Sequence, residues 1–323
     1  MAQITLPGNL LLLGEYAVLE EGGLGIAVAI EHRISIAIKA AESLTMMGTT
    51  GKERFRWTEG SEHTLLGCLV EACRREIGRD DWSPGALPLR LDIDSSPFYD
   101  RDRGKSGFGS SAAVAVGVAY ALLRASGVDG RRLLPAAFRV ALGAHRDFQG
   151  GRGSGYDIAA SLYGGISLFS GGRTPSASPI ELPWLPTLGL FAGTAPVRTA
   201  DSVGKYARWK RQHKESASHF LTESNRCVSG FAASKSWDEA TTWFGACRDL
   251  SVWLGVQIGV PAEIAPPEMI DRSVTKAVGA GNELGVALVA PSANPLASGA
   301  VRYVEVADTG LNWIEFDGER LGS

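Results

Sequence analysis

Ile34, Ile36 and Ile38 alternate with Ser35, Ala37 and Lys39, the two-residue period of a strand with one buried face. That pattern predicts a strand over 25–40. An apolar stretch predicts another over 3–13, and Glu20-Glu21-Gly22-Gly23 supplies the turn between them. Residues 41–61 read as loops with a short strand near Phe55–Trp57. From Leu65 to Ile77 the apolar positions suit a helix, which Gly78 ends. An alternating strand, Leu87–Ile93, precedes a polar loop over 95–109 and a helix from Ser111 to Ala125. Val114 to Leu123 is apolar almost all round, so that helix is expected to be buried, with Ser110 or Ser111 as its cap. A second helix is expected from Arg131 to about Phe148, a short one from Asp157 to Tyr163, and a strand from Gly165 to Ser170.

Gly171 to Pro186 is rich in Gly, Pro and Ser and is the best candidate boundary, giving domains over 1–175 and 187–323. Beyond it the pattern predicts a strand at Leu188–Ala192, long helices at Ala200–Gly230 and Trp237–Gly255, and another helix beginning near Ala262. A strand at Gly285–Val289, a helix near Leu296–Val306 and a strand at Leu311–Phe316 complete the reading. No repeat is visible. Strands and helices mix without strict βαβ alternation, which favours a two-domain α+β fold.

Composition excludes some classes. The chain has 323 residues, 45% hydrophobic and 21% charged, as expected of a soluble globular protein with a substantial core. A net charge of −3 gives no reason to expect a nucleic acid or a membrane surface as partner, so any basic site must be local. Cys68, Cys73, Cys227 and Cys247 form no C-x-x-C pair, and the five scattered histidines complete no zinc pattern. Reduced thiols in a cytoplasmic protein are the expectation. The opening segment MAQITLPGNLLLLGEY lacks a basic region and is interrupted by Pro7, Gly8 and Glu15, unlike a signal peptide. No run of about 18 apolar residues predicts a membrane span.

The 40 glycines cluster in loops. The most informative cluster is Gly107-Phe108-Gly109-Ser110-Ser111-Ala112-Ala113, which opens straight into the buried helix. Glycine lets a backbone approach an anion closely, and a helix N-terminus presents free N–H groups and a favourable dipole to it. Two common phosphate motifs fail here. Gly107-x-Gly109-x-x-Ala112 imitates the dinucleotide pattern, but the polar segment Asp102–Ser106 stands where a buried strand is needed. Gly104-Lys105-Ser106 imitates the end of a P-loop, but Tyr99 occupies the required first glycine. An NAD-binding dehydrogenase is accordingly the weakest functional class.

Three ordered segments resemble the three motifs of the GHMP kinases: Pro7-Gly8-Asn9 through Leu19, Gly107 through Ala113, and Lys276 through Gly285. Glu15-Tyr16-Ala17-Val18-Leu19, Gly153-Ser154-Gly155-Tyr156-Asp157 and Thr199-Ala200-Asp201-Ser202-Val203-Gly204-Lys205 look most like the phosphomevalonate kinase branch. The resemblance implies a ribosomal protein S5 domain 2-like N-terminal domain and a ferredoxin-like C-terminal domain. It implies ATP and Mg²⁺ as cofactors and transfer of the γ-phosphoryl group to 5-phosphomevalonate. Mevalonate as acceptor, or a non-catalytic metabolite-sensing homologue, are the alternatives. No nucleic acid or membrane partner is implied, and a homodimer is compatible with the resemblance.

By the same resemblance Lys105, Gly107, Phe108, Gly109, Ser110, Ser111 and Ala112 would hold the nucleotide, and Ser111 would ligate Mg²⁺. Glu15, Tyr16, Arg152, Gly153, Ser154, Gly155, Lys205, Gly279, Ala280 and Gly281 would surround the acceptor. Asp157 and Asn9 are the candidate catalytic residues. Plainer roles stand beside these: a helix cap for Ser110, Ser111 and Asp157, and a solvated loop charge for Lys105 and Arg152. Three places depart from the pattern, one of them the third loop, where Asn282, Glu283 and Leu284 stand in a segment that looks one residue shorter and carries fewer glycines than the family's. Asn9 stands where the mevalonate-type motif usually has a lysine beside the transferred phosphoryl group, so either Lys105, Arg152, Lys205 or Lys276 replaces that cation, or the enzyme is slow, or the substrate differs. His145 stands near the place where mevalonate kinases carry a magnesium-binding glutamate.

Overall fold

The computed structural model describes residues 1–50, 53–57, 64–100, 104–151, 153–193, 198–268, 270–290 and 300–316. In chain order the first elements are β1 (Ala2–Leu13), β2 (Leu24–Ala40), β3 (Thr45–Thr50), β4 (Glu53–Trp57), α1 (Leu65–Ile77) and β5 (Leu89–Asp94). The two-residue strands β6 (Tyr99–Asp100) and β7 (Gly104–Lys105) precede α2 (Ser110–Ala125), α3 (Gly130–Phe148) and α4 (Tyr156–Tyr163). Then come β8 (Ile166–Ser170), β9 (Ser176–Ile180), β10 (Thr187–Ala192), α5 (Thr199–Gln212), α6 (Lys214–Ala233) and α7 (Trp237–Ile258). Four strands close the described chain: β11 (Thr275–Val278), β12 (Leu284–Leu288), β13 (Arg302–Glu305) and β14 (Asn312–Glu315).

The fold is mixed α+β, in two compact units interleaved along the sequence. One takes residues 1–9, 32–164 and 307 onward; the other takes 10–31 and 165–306. Along the sequence, the boundaries between the units fall within β1 and within β2. The Gly171–Pro186 segment, read as the boundary, lies inside the second unit and contains β9.

In the first unit the strands run in the order β14-β1-β2-β5-β3-β4. The alternation read from Ile34 and Ile36 puts both at 0% exposure. Helices α1, α2, α3 and α4 pack together. Gly117 lets α2 lie close to the sheet, since a Cβ there would run into Leu6 and Ile36. Thr64 caps α1 by accepting from Gly67 N–H at 3.1 Å, a contact worth roughly 1 kcal/mol, and left-handed Gly78 ends it.

In the second unit β8 pairs with β2 and β9, and a separate sheet runs β11-β12-β10-β13. Ala17, Tyr206, Trp209, Phe220, Leu254 and Ile258 form one apolar cluster. This cluster explains a departure from the sequence reading. The helix expected over 200–230 is two helices broken at His213, so that Tyr206 and Trp209 of α5 and Phe220 of α6 turn into the same core. No helix begins near Ala262; Pro261, Pro266 and Pro267 deny that stretch its N–H donors and helical dihedrals. The helix expected near 296–306 is replaced over its described part by β13, whose pairing with β10 buries Val304 and exposes Arg302 and Glu305. Residues 296–299 of that expectation lie outside the described residues.

Candidate active site

The glycine loop of the first unit ends in a helix start that lacks a side-chain cap. Gly107 and Gly109 adopt left-handed backbone, φ 76° and 72°. Gly109 is itself the N-cap residue of α2, and no side chain caps the helix. Ser110 and Ser111 lie inside the first turn, so neither is the cap expected from the sequence. Ala112 and Ala113 N–H both return to the Gly109 carbonyl, at 3.1 and 3.2 Å. The first turn contains no acidic residue. An anion would meet the positive end of the α2 dipole there.

Asn9 fixes this loop from below. It is buried, its N–H donates to the Phe108 carbonyl at 3.0 Å, and its Nδ2 donates to Ser161 Oγ at 3.0 Å and to the Gly109 carbonyl at 3.4 Å. Ser161 Oγ in turn donates to the Pro7 carbonyl at 3.1 Å. Asn9 therefore joins β1, the glycine loop and α4 through neutral hydrogen bonds.

Asp157 lies in the first turn of α4, whose N-cap is left-handed Gly155 rather than Asp157. Its Oδ1 accepts from Ile158 N–H at 3.0 Å, and its Oδ2 lies 3.6 Å from His145 Nδ1. The other ring nitrogen, His145 Nε2, is 3.2 Å from Ser111 Oγ and 3.3 Å from Gln149 Nε2. One buried imidazole thus lies between the nucleotide-loop candidate Ser111 and the candidate Asp157. Sequence reasoning noted His145 only as standing in for an acid. Nearby, Arg146 donates to the carbonyls of Gly153 at 2.9 Å and Ser154 at 3.2 Å, shaping the second glycine loop. Burial lowers the affinity of the Arg146 guanidinium for its proton, and the Asp157 charge opposes that. Arg152 and the side chain of Lys105 lie outside the described residues.

The second unit gathers the remaining candidates. Glu15 is buried against Lys276, whose ammonium also donates to the carbonyls of Ala277 at 2.7 Å and Leu12 at 3.4 Å. All three ammonium donors are occupied, so Lys276 is a structural cation and not the replacement for a missing catalytic one. Burial raises the Glu15 carboxyl above its ordinary range, and Lys276 pulls it part of the way back. Tyr16 has φ 64°, which a non-glycine residue holds only when its surroundings impose it. Its hydroxyl donates to the Ala280 carbonyl at 2.8 Å, and Ser202 hydrogen-bonds the same oxygen. Gly279 and Gly281 line a small cavity with Glu15 and Tyr16. Lys205 donates to the Gly259 carbonyl at 2.8 Å. Three segments singled out in the sequence, at 16, 202 and 280, meet at one phenol oxygen.

Residues 65–165 match the family described as GHMP kinases N terminal domain. The chain is similar to the GHMP kinases over this segment, and the solved structures below share its fold. Among curated relatives it is 27% identical over 169 residues to a phosphomevalonate kinase of Saccharolobus solfataricus, covering 51% of this chain and 48% of that protein. It spans about half the length of the curated relatives it matches. Among solved structures, the Lin0012 protein from Listeria innocua superposes with a TM-score of 0.78 at 20% identity, over 98% of this chain and 99% of that one. Streptococcus pneumoniae phosphomevalonate kinase in complex with phosphomevalonate and AMPPNP gives 0.69 at 17% identity, over 90% and 93% of the two chains. Among the described residues no helix is long and apolar enough to cross a membrane.

Proposed function

We propose that this chain is an ATP-dependent small-molecule kinase that transfers the γ-phosphoryl group to 5-phosphomevalonate. The observation that carries the reading is the α2 N-terminus, where two left-handed glycines lead into an uncapped first turn with Ser111 beside it. Phosphoryl transfer is catalysed mainly by positioning and charge stabilisation, and such a loop provides both. A relative with both ligands named in its structure shares the fold.

In this reading the backbone of 107–112 holds the ATP phosphates. Asp157 accepts or orients the proton of the acceptor, its carboxylate held by Ile158 N–H on one oxygen and facing His145 on the other. A phosphate monoester acceptor has a second pKa of about 6 and is largely dianionic at neutral pH, so it needs little proton removal. The donor set suits Mg²⁺. No group of three or more His, Cys, Asp or Glu among the described residues could hold a metal ion, but the Ser111 hydroxyl is an oxygen donor of the kind a hard cation takes when it arrives with phosphates and keeps its waters. Ser111 would hold it, and bound Mg²⁺ would neutralise charge on the β- and γ-phosphates.

A steady-state assay with ATP and each acceptor tests the proposal. Turnover of phosphomevalonate is expected; robust turnover of mevalonate with none of its phosphate would overturn the choice of acceptor. One observation favours a second reading. Asn9 brings no cation where the family usually has one, and its amide is already engaged in neutral bonds. ATP binding without turnover of either acceptor would favour a nucleotide-sensing protein.

A further inference from the structure

We propose that His145 is a positioning residue that sets Ser111 and Asp157 as one unit. It turns the Ser111 lone pairs toward the bound cation and the Asp157 carboxylate toward the acceptor. The inference rests on the kinase reading above.

The geometry fixes the argument. His145 sits in the last turn of α3, is 3% exposed, and has each ring nitrogen facing a different helix start. Nδ1 lies 3.6 Å from the Asp157 carboxylate, longer than a hydrogen bond, and at that distance the carboxylate's charge favours an N–H over a lone pair on Nδ1. Nε2 is then an acceptor, and both groups beside it, the Ser111 hydroxyl and the Gln149 amide, are able to donate. A serine that donates its only proton to Nε2 keeps both oxygen lone pairs free. Those lone pairs are what a hard cation requires of a hydroxyl ligand.

The opposite tautomer would reverse every role. Nε2–H would take a Ser111 lone pair, and Nδ1 would set its own lone pair against the carboxylate. On the Asp157 side, Ile158 N–H holds Oδ1, and His145 faces Oδ2 at 3.6 Å, close enough to take a hydrogen bond after a small shift. A glutamate here would bring a charge to the metal directly. His145 works instead through the residues it orients. Groups that orient metal ligands typically change affinity or activity by about 10–100-fold when removed.

The test uses the full chain and three variants, His145→Ala, His145→Gln and Ser111→Ala. Nitrogen-15 imidazole NMR of the metal-free wild type should show the Nδ1–H tautomer; an Nε2–H tautomer would overturn the proposal without reference to activity. Calorimetry should show His145→Ala binding metal-free ATP within about twofold of wild type while weakening Mg²⁺ binding to the ATP complex about 10–100-fold, as Ser111→Ala does. In turnover, kcat should fall by a similar factor with the acceptor KM nearly unchanged, and His145→Gln, which keeps a polar group facing both partners, should recover part of it. Proportional loss of metal-free ATP binding in His145→Ala would mean a purely structural role and would overturn the proposal, as would wild-type Mg²⁺ dependence. If the wild type turns over no acceptor, the kinase reading fails, while the tautomer and the Mg²⁺ dependence of ATP binding still decide the role of His145.

Discussion

Asn9 Nδ2 donates to Ser161 Oγ at 3.0 Å, and that oxygen donates onward to the Pro7 carbonyl at 3.1 Å. Both side chains are buried, at 2% and 0% exposure, so neither has water to fall back on. Removing one partner of a buried hydrogen bond costs about 1–3 kcal/mol, because the other keeps the desolvation penalty. Ser161→Ala and Asn9→Ala are each expected to lose about that much stability in chemical denaturation. The double variant is expected to lose less than the sum, with a coupling of about 0.5–3 kcal/mol. Strict additivity would show that the two side chains do not support one another.

Gly107 and Gly109 share a left-handed backbone but not a neighbourhood. A Cβ at 107 meets nothing within 4 Å, whereas one at 109 would overlap the Asn9 amide. Gly107→Ala should therefore lose only the left-handed penalty of roughly 1–2 kcal/mol. Gly109→Ala must also displace Asn9 and with it the bonds to Ser161 and the loop. Calorimetry should find ATP affinity reduced far more by the second substitution. Equal losses would separate the loop from the Asn9 contact.

These residues also mark what the sequence discloses. Helix α1 is legible to the residue because Thr64, Gly78 and the apolar spacing all act locally. The glycine loop is legible because glycine followed by hydroxyl residues has a direct backbone meaning. His145 is not, since its partners stand at 111 and 157 and only the packing of α2, α3 and α4 brings them to one ring. The break at His213 is hidden for a related reason: tertiary burial of Trp209 and Phe220, and no local breaker, turns the chain. The prolines at 261, 266 and 267 were local evidence against a helix that apolar spacing alone suggested.

Lys276 and Glu15 form a buried pair; the Leu12 and Ala277 carbonyls also hold the ammonium, and a backbone N–H also holds the carboxylate. Taking away one partner strands the other. Lys276→Met and Glu15→Gln are each expected to destabilise by about 3–5 kcal/mol, the usual result of leaving an uncompensated buried charge or donor. Replacing both with apolar residues of similar size should restore much of that loss, since the desolvation of both ions disappears together. Denaturant midpoints of the four proteins provide the check. A double variant as unstable as the worse single one would show that the pair contributes more than charge balance.

Burial pushes the Tyr16 hydroxyl up to about 12, with the Glu15 charge adding to the shift and Ser202 opposing it. An ordinary tyrosine ionises near pH 10, in roughly the range where the unfolded chain would lose this proton. The folded state therefore keeps a proton that the unfolded state has released, and stability depends on pH accordingly. The contribution of Tyr16 is fully present below about pH 10 and is lost as pH rises from about 10 to about 12. Tyr206 is also shifted upward by burial, so the wild type should show the combined loss. In Tyr16→Phe the Tyr16 share of that alkaline slope should vanish. At neutral pH the same variant should be less stable by about 0.5–1.5 kcal/mol, because the Ala280 carbonyl loses its donor. Denaturation of both proteins across alkaline pH, with tyrosinate absorbance followed in parallel, measures both effects. A Tyr16 that ionises near pH 10 in the folded protein would mean that its hydroxyl faces water and does not tie the first motif to the third loop.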